Sequence, residues 1–270
     1  MKLALFCHFR ESEEKSLNYI KFYLEQLKST HDIVFLLTND NVKIHSDDLK
    51  FYNNMNICIC YVPNGGFDFG MYYNFFQKNP KLIDQINFLT LCNDSCVCIR
   101  RLDSLIGKIL SRDEEVCGII SSFEKSNHIQ SFFVNFKNIG VKNFINYLTE
   151  NGIQPTLSET VRIYEVEMFK YLAEKCNIRC WSMLDGKHFK YKKSNISLCH
   201  SLDLLYRGSP LIKKRIISRD LKELEKIYMN SRCVSTTLDY SHQVGKIIKS
   251  LNENVCTEFL LEGLINNNEI

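Results

Sequence analysis

Hydrophobic and polar positions alternate in blocks along the first third of the chain, and each apolar block ends on a polar turn. Residues 2–7, 32–37, 56–62 and 86–91 are short runs rich in Leu, Ile, Val and Phe, the pattern of strands buried in a sheet. Between the first two, residues 13–29 place Leu17, Ile20, Leu24 and Leu27 on one face at helical spacing. Residues 69–77 form a second helix-length block after the turn Pro63-Asn64-Gly65-Gly66. Strand alternating with helix over roughly 95 residues predicts βαβ units and a parallel sheet. Further on, the spacing predicts helices over 102–110, 142–149 and 164–175, and strands over 116–120, 128–136 and 178–183. From Pro210 the pattern is helical with no strand. The expected organisation is an α/β domain over 1–205 and a helical C-terminal extension over 206–270. There is no internal repeat and no low-complexity tract.

Composition narrows the class. A 270-residue chain with 45% hydrophobic and 24% charged residues matches a soluble globular protein. A net charge of +3 is too small for a dedicated nucleic-acid binder, so no nucleic-acid partner is expected. The twelve cysteines include no CxxC pair, and Cys58, Cys60, Cys92, Cys176 and Cys180 lie in or beside apolar runs. That placement reads as buried thiols in a reducing cytosol, not as a disulfide scaffold or a zinc site. No run approaches the ~18 apolar residues that span a bilayer. The opening residues read as a first strand, not a signal peptide.

The candidate chemistry gathers between Asn64 and Ser95. In open α/β sheets ligands bind beyond the carboxyl ends of the strands, and the run over 86–91 ends on Asn93-Asp94-Ser95. A carboxylate on a rigid strand end is suited to a divalent cation bridging two phosphates, which makes Asp94 the candidate metal ligand. The alternative is that Asn93 and Asp94 only cap a helix or shape a turn. Upstream, Gly65 and Gly66 let the backbone approach a ligand, as does Gly70 at a helix start, and Asp68 between them can accept hydrogen bonds from sugar hydroxyls. Asp68 as a helix N-cap is the competing reading. Residues 68–70 spell the Asp-Phe-Gly triplet of kinases, but no glycine-rich phosphate loop precedes them.

Three further groups carry two readings each. Glu165 is a candidate general base for an acceptor hydroxyl, or an acid at the first turn of a helix where the dipole favours it. His128, Gln130 and Ser131 open a strand with polar groups, for substrate contact or for solvent. The stretch from Lys187 to Lys193, closing on His200, is a solvated loop or a lid whose Lys190 and Lys193 steady a departing diphosphate. Beyond Ser201 the chain is locally basic, either a helix with a charged outer face or a surface that docks on an anionic membrane.

The segments IVFLLTN, NGGFDFG, LCNDS, HIQSFFVNF, YEVEMFKYL and SPLIKK together resemble the rhamnan synthesis F family of bacterial polysaccharide glycosyltransferases, over roughly four fifths of the chain. The resemblance implies a GT-A-like, Rossmann-type, mostly parallel sheet flanked by helices. It implies transfer of a hexose or deoxyhexose, such as rhamnose or galactose, from a nucleoside diphosphate sugar to a growing surface glycan, O-antigen or capsule, on a lipid-linked acceptor. The enzyme would be cytoplasmic and peripheral on the inner membrane. By the same plan Asn39 would contact the nucleotide, Asn64–Gly70 and Asn93 the donor, and Asp94 with Ser95 and His200 would hold Mg²⁺ or Mn²⁺. Asp68 would read the sugar and Glu165 would act as base. Asn93-Asp94-Ser95 has one carboxylate where the family plan's metal motif has two. Two rival functions share the fold: a sugar-phosphate nucleotidyltransferase, and a degenerate transferase-like scaffold in a glycan assembly complex.

Overall fold

The computed structural model describes residues 1–214 except 17, 64, 190–192 and 194. Its first 93 residues follow the predicted alternation with one helix added, α2: β1 (Lys2–Cys7), α1 (Asn18–Thr30), β2 (Ile33–Asn39), α2 (Ser46–Asn54), β3 (Cys58–Val62), α3 (Phe67–Lys78) and β4 (Phe88–Asn93). Then come β5 (Cys96–Cys98), α4 (Asp103–Leu110), β6 (Val116–Ser122), β7 (His128–Ile129), β8 (Phe133–Lys137) and α5 (Ile139–Asn151). The rest is α6 (Leu157–Thr160), a π-helical stretch Val161–Glu167, α7 (Met168–Cys176), β9 (Cys180–Leu184), α8 (Ile196–Cys199), α9 (Ser201–Tyr206) and β10 (Leu211–Lys213).

The main sheet runs β3-β2-β1-β4-β8-β6, with β7 and β9 also paired to β6. β1, β2, β3 and β4 are parallel, as are β6 and β9, while β8 lies antiparallel between β4 and β6. This is the expected α/β organisation: a mostly parallel sheet flanked by helices. Alternating residues of β1 serve opposite faces. Ala4 and Phe6 pack with Tyr23, Leu24 and Leu27 of α1 and with α4, the Phe6 and Tyr23 rings meeting edge-on at 5.0 Å. Leu3, Leu5 and Cys7 pack with Phe69, Tyr72 and Phe75 of α3 and with α5 and α7. Such two-sided burial is what makes the parallel strands read as continuous apolar runs.

Strand order reverses at β1, with β2 and β3 to one side and β4 to the other. The parallel register sets Cys7 beside Asn93, so the chain leaves both strands at the same height. This switch point is where open α/β sheets bind ligands.

Several elements differ from the sequence reading. The single strand expected over 128–136 is broken by a bulge: Ile129 faces Ser121 and Val134 faces Gly118, so five steps on one strand match three on the other. Bulges of this kind re-aim a side chain, here Ser131. Glu165 lies within a continuous helical run over 157–176 and not at its first turn, which removes the dipole explanation for it. α2 was not anticipated, because its buried face is carried by Asp48 and Tyr52 and not by an apolar stripe. Nor was β10, which pairs antiparallel with β5 and buries Leu211 and Ile212. The packed unit therefore continues past 205 to at least Lys213. The rest of the expected extension, 215–270, lies outside the described residues, and with it most of the basic stretch considered for membrane docking.

α1 begins at Asn18 and not near 13, because residues 10–16 form a loop anchored on Asp48. Asp48 is fully buried; its carboxylate accepts from the Ser16 amide at 2.6 Å and pairs with Arg10 at 3.4 Å and Lys21 at 3.0 Å. Removing one member of such a set leaves buried cations without their partner. Asp48→Ala is expected to cost about 3–5 kcal/mol in denaturant unfolding. Asp47→Ala, which breaks an exposed pair with Lys15, should leave the midpoint unchanged.

Candidate functional site

β4 ends on Asn93, a buried side chain that binds in two directions. Its Oδ1 accepts from the Ser95 amide at 3.1 Å and from Ser95 Oγ, which tightens the turn after the strand. Its Nδ2 donates to the carboxylate of Asp68. The next residue, Asp94, continues the pairing with β1 by donating its amide to the Cys7 carbonyl at 3.1 Å. The Asp94 carboxylate meets His8 Nδ1 at 2.8 Å and Lys214 Nζ at 3.8 Å. Asp68 and Asp94, separate in sequence, thus face one site beyond the switch point.

The glycine motif brings Asp68 there by a different route from the one the sequence suggested. Gly66, at φ 73°, is the N-cap of α3, and no side chain caps the helix. Asp68 is therefore not an N-cap: its carboxylate is turned to Asn93. A Cβ on Gly70 would lie 1.8 Å from the Gly65 carbonyl oxygen, and one on Gly66 would lie 2.6 Å from Ile153. Gly66 and Gly70 let the turn fold back on its own helix, so their requirement is internal packing and not room for a ligand. Asn64 lies outside the described residues.

Burial is the main reason the Asp68 carboxyl is pushed up to about 6, with the Asp94 charge second and Glu165 adding to it. The Asn93 hydrogen bond and the Lys213 ammonium pull the other way.

Glu165 reaches the same neighbourhood through its helix. Tyr164, before it, stacks on Phe69, after Asp68, at 4.6 Å between ring centroids and 7° between planes. The Tyr164 hydroxyl donates to the Gly152 carbonyl, and Ser131, on the bulge, donates to the Glu165 carboxylate. A π-helical stretch adds a residue to the turn and is often found at functional sites, where it re-aims side chains.

Other expected contacts are placed elsewhere. Asn39 is fully buried and engaged: its Oδ1 accepts from the Arg10 amide at 2.8 Å and its Nδ2 donates to the Arg10 carbonyl at 2.9 Å. It latches the loop after β1 instead of offering its amide to a nucleotide. His128 donates to or accepts from nothing at Asp94; its Nδ1 meets the Ser126 carbonyl at 2.8 Å, and it lines a separate pocket with Phe169, Trp181 and Lys187. Gln130 reaches Asn195 at 3.4 Å, before α8. Lys193 is an exposed turn residue, and Lys190 lies outside the described residues. Lys187 is paired with Asp185 at 2.8 Å.

The expected Mg²⁺ or Mn²⁺ site does not fit these side chains. A hard divalent cation needs several oxygen ligands, and no three His, Cys, Asp or Glu side chains gather for a metal among the described residues. Ser95 Oγ accepts from Lys213 Nζ at 3.1 Å, and His200 Nδ1 faces Asp203 at 3.0 Å. Asp94, the one carboxylate of the motif, faces a lysine. Sequence reasoning missed three residues here. His8 follows β1 without any motif, and Lys213 and Lys214 stand at the end of, and just after, a three-residue strand too short to show a period.

No protein-family model matches the chain, and no curated protein does. Solved structures with a similar fold include a proposed glucose-1-phosphate thymidylyltransferase from Bacillus anthracis, 8% identical, covering 67% of this chain and 86% of that one, with a TM-score of 0.44. A 4-diphosphocytidyl-2C-methyl-D-erythritol synthase from Anaerococcus prevotii is 10% identical over 77% of this chain and 96% of its own, also with a TM-score of 0.44. The inositol-1-phosphate CTP transferase from T. maritima is 12% identical over 68% and 85%, with a TM-score of 0.43. Likeness at this level assigns no activity to the chain.

The raised Asp68 carboxyl has a consequence for stability. A folded-state value of about 6 above an unfolded value of 3.8 means that the folded chain holds the proton more tightly, so stability falls as pH rises between them. Asp68→Asn should remove that loss, stabilising the protein by up to about 3 kcal/mol at neutral pH in urea titrations, with the gain vanishing below about pH 4.

Proposed function

We propose that the chain is a glycosyltransferase that uses a nucleoside diphosphate sugar, of the kind its resemblance to the rhamnan synthesis F family implies. The observation that supports this best is the convergence of Asp68, Asp94 and Glu165 beyond the carboxyl end of β4, beside the switch point at β1. Carboxylates gathered there suit a reaction in which positive charge develops on a sugar ring.

In this reading the free oxygen of Asp68 accepts a hydrogen bond from a sugar hydroxyl, while Asn93 holds the other oxygen. An acceptor hydroxyl attacks the anomeric carbon. The new carbon–oxygen bond forms as the bond to the diphosphate breaks, and the leaving nucleoside diphosphate takes that electron pair. The acceptor's proton passes to Glu165, whose carboxylate is oriented by Ser131. Attack from the side opposite the leaving group inverts the anomeric centre. The acceptor is a growing bacterial surface polysaccharide, O-antigen or capsule, on a lipid carrier. No helix among the described residues is long and apolar enough to cross a membrane.

Nucleotidyl transfer on the same fold calls for a glycine-bearing, basic loop after β1. Here that loop begins His8-Phe9-Arg10-Glu11, and its one arginine is committed to Ser16 and Asp48.

A panel of UDP- and dTDP-sugars incubated with glycan acceptors tests the proposal. Release of free nucleoside diphosphate with glycosylated product supports it; release of pyrophosphate from nucleoside triphosphate and sugar phosphate refutes it. Glu165→Gln should slow transfer by about 10²–10⁴-fold, the usual size of a lost general base. The profile of kcat/KM should rise with pH through about 6 as Asp68 ionises. That limb should be missing in Asp68→Asn.

A further inference from the structure

We propose that Lys213 and Lys214 hold the donor's diphosphate in the place where a divalent cation would otherwise stand, an inference that rests on the nucleotide-sugar reading above. Both lysines are fixed by backbone pairing. β10 runs antiparallel to β5 with Lys213 opposite Cys96, and the Lys214 amide donates to the Ser95 carbonyl at 2.9 Å. β10, paired to the strand that follows Asp94, thereby brings two ammonium groups back beside it.

Each ammonium is aimed by what surrounds it. Lys213 Nζ donates to Ser95 Oγ at 3.1 Å and lies 4.6 Å from the centre of the Phe132 ring. Its hydrogen-bond partner there is a hydroxyl and not a carboxylate. Lys214 Nζ lies 3.8 Å from Asp94 Oδ2, longer than a tight ion pair, and 5.9 Å from the centre of the Tyr19 ring. Burial alone would lower the Lys214 pKa, but Asp94 and Tyr19 raise it above its ordinary value, which keeps it charged. Asp68, Asp94 and Glu165 would repel a diphosphate unless cations stood between. Two lysines beside Asp94 and Asp68 supply that positive charge from the chain itself. A divalent cation brought to Asp94 would have to displace Lys214 and sit against Lys213.

Isothermal titration of UDP and dTDP into the full chain, in EDTA and again with excess Mn²⁺, tests this. At least one nucleotide should bind in EDTA, and Mn²⁺ should change its Kd by less than about threefold. Lys213→Met and Lys214→Met keep the apolar stem and the strand pairing, and each should weaken that binding by about tenfold or more, since each loses a charge-assisted contact to phosphate. Uridine and thymidine, which lack the diphosphate, should bind all variants equally, and Lys214→Arg should recover most of the loss. Binding that appears only with Mn²⁺ would overturn the inference while leaving the nucleotide-sugar reading intact. So would unchanged affinity in both methionine variants. If a variant does not fold by its melting curve, the Mn²⁺ titration of the unaltered chain decides. Failure of both nucleotides to bind that chain under either condition would remove the nucleotide-sugar reading and this inference together.

Discussion

The structure depends on the parallel register between β1 and β4. It sets Cys7 against Asn93 and continues one step further through the Asp94 amide and the Cys7 carbonyl. Because a one-residue slip would turn every side chain of a strand to the opposite face, two buried faces lock this register. Leu3, Leu5 and Cys7 are committed to one side and Ala4 and Phe6 to the other. The polar residues that follow, His8 after β1 and Asp94 after β4, are consequently held against each other. The site is the place where two apolar strands run out together.

Everything that reaches this place is delivered by a separate packing constraint. α3 brings Asp68 because the Gly65 carbonyl can lie against Gly70. The helical run over 157–176 brings Glu165 because Tyr164 stacks on Phe69. β10 brings Lys213 and Lys214 because Leu211 and Ile212 are buried beside β5. Apolar contacts set the positions and polar groups fill them. The charges stay in partial balance: burial raises the Asp68 carboxyl while Lys213 and Asn93 lower it. Oriented polar groups of this kind are what electrostatic stabilisation of a transition state requires.

The sheet was legible because burial on two faces writes long apolar runs, and β1 to β4 were found within about two residues of their ends. Asp68 and Asp94 were legible for the same reason: each follows a strand at a glycine turn or a polar stop. What escaped was carried by residues without a period. α2 buries Asp48 and Tyr52, so no apolar stripe announced it. β10 has three residues, too few for alternation to show, yet it completes the site. The bulge over 130–132 is defined by how β6 pairs on either side of it, a long-range fact with no local signature. Roles were harder to read than places. Asn39 stands at the expected strand end, but its amide is spent on Arg10, and the glycines beside Asp68 serve their own turn.

The central claim is that donor sugar and diphosphate occupy the space between Asp68, Asp94 and the two lysines. A crystal structure of the chain with a bound nucleoside diphosphate sugar tests it most directly. The account predicts a sugar hydroxyl within hydrogen-bond distance of Asp68 and phosphate oxygens against Lys213 and Lys214. A donor seated instead in the pocket lined by His128, Phe169 and Trp181 would contradict it.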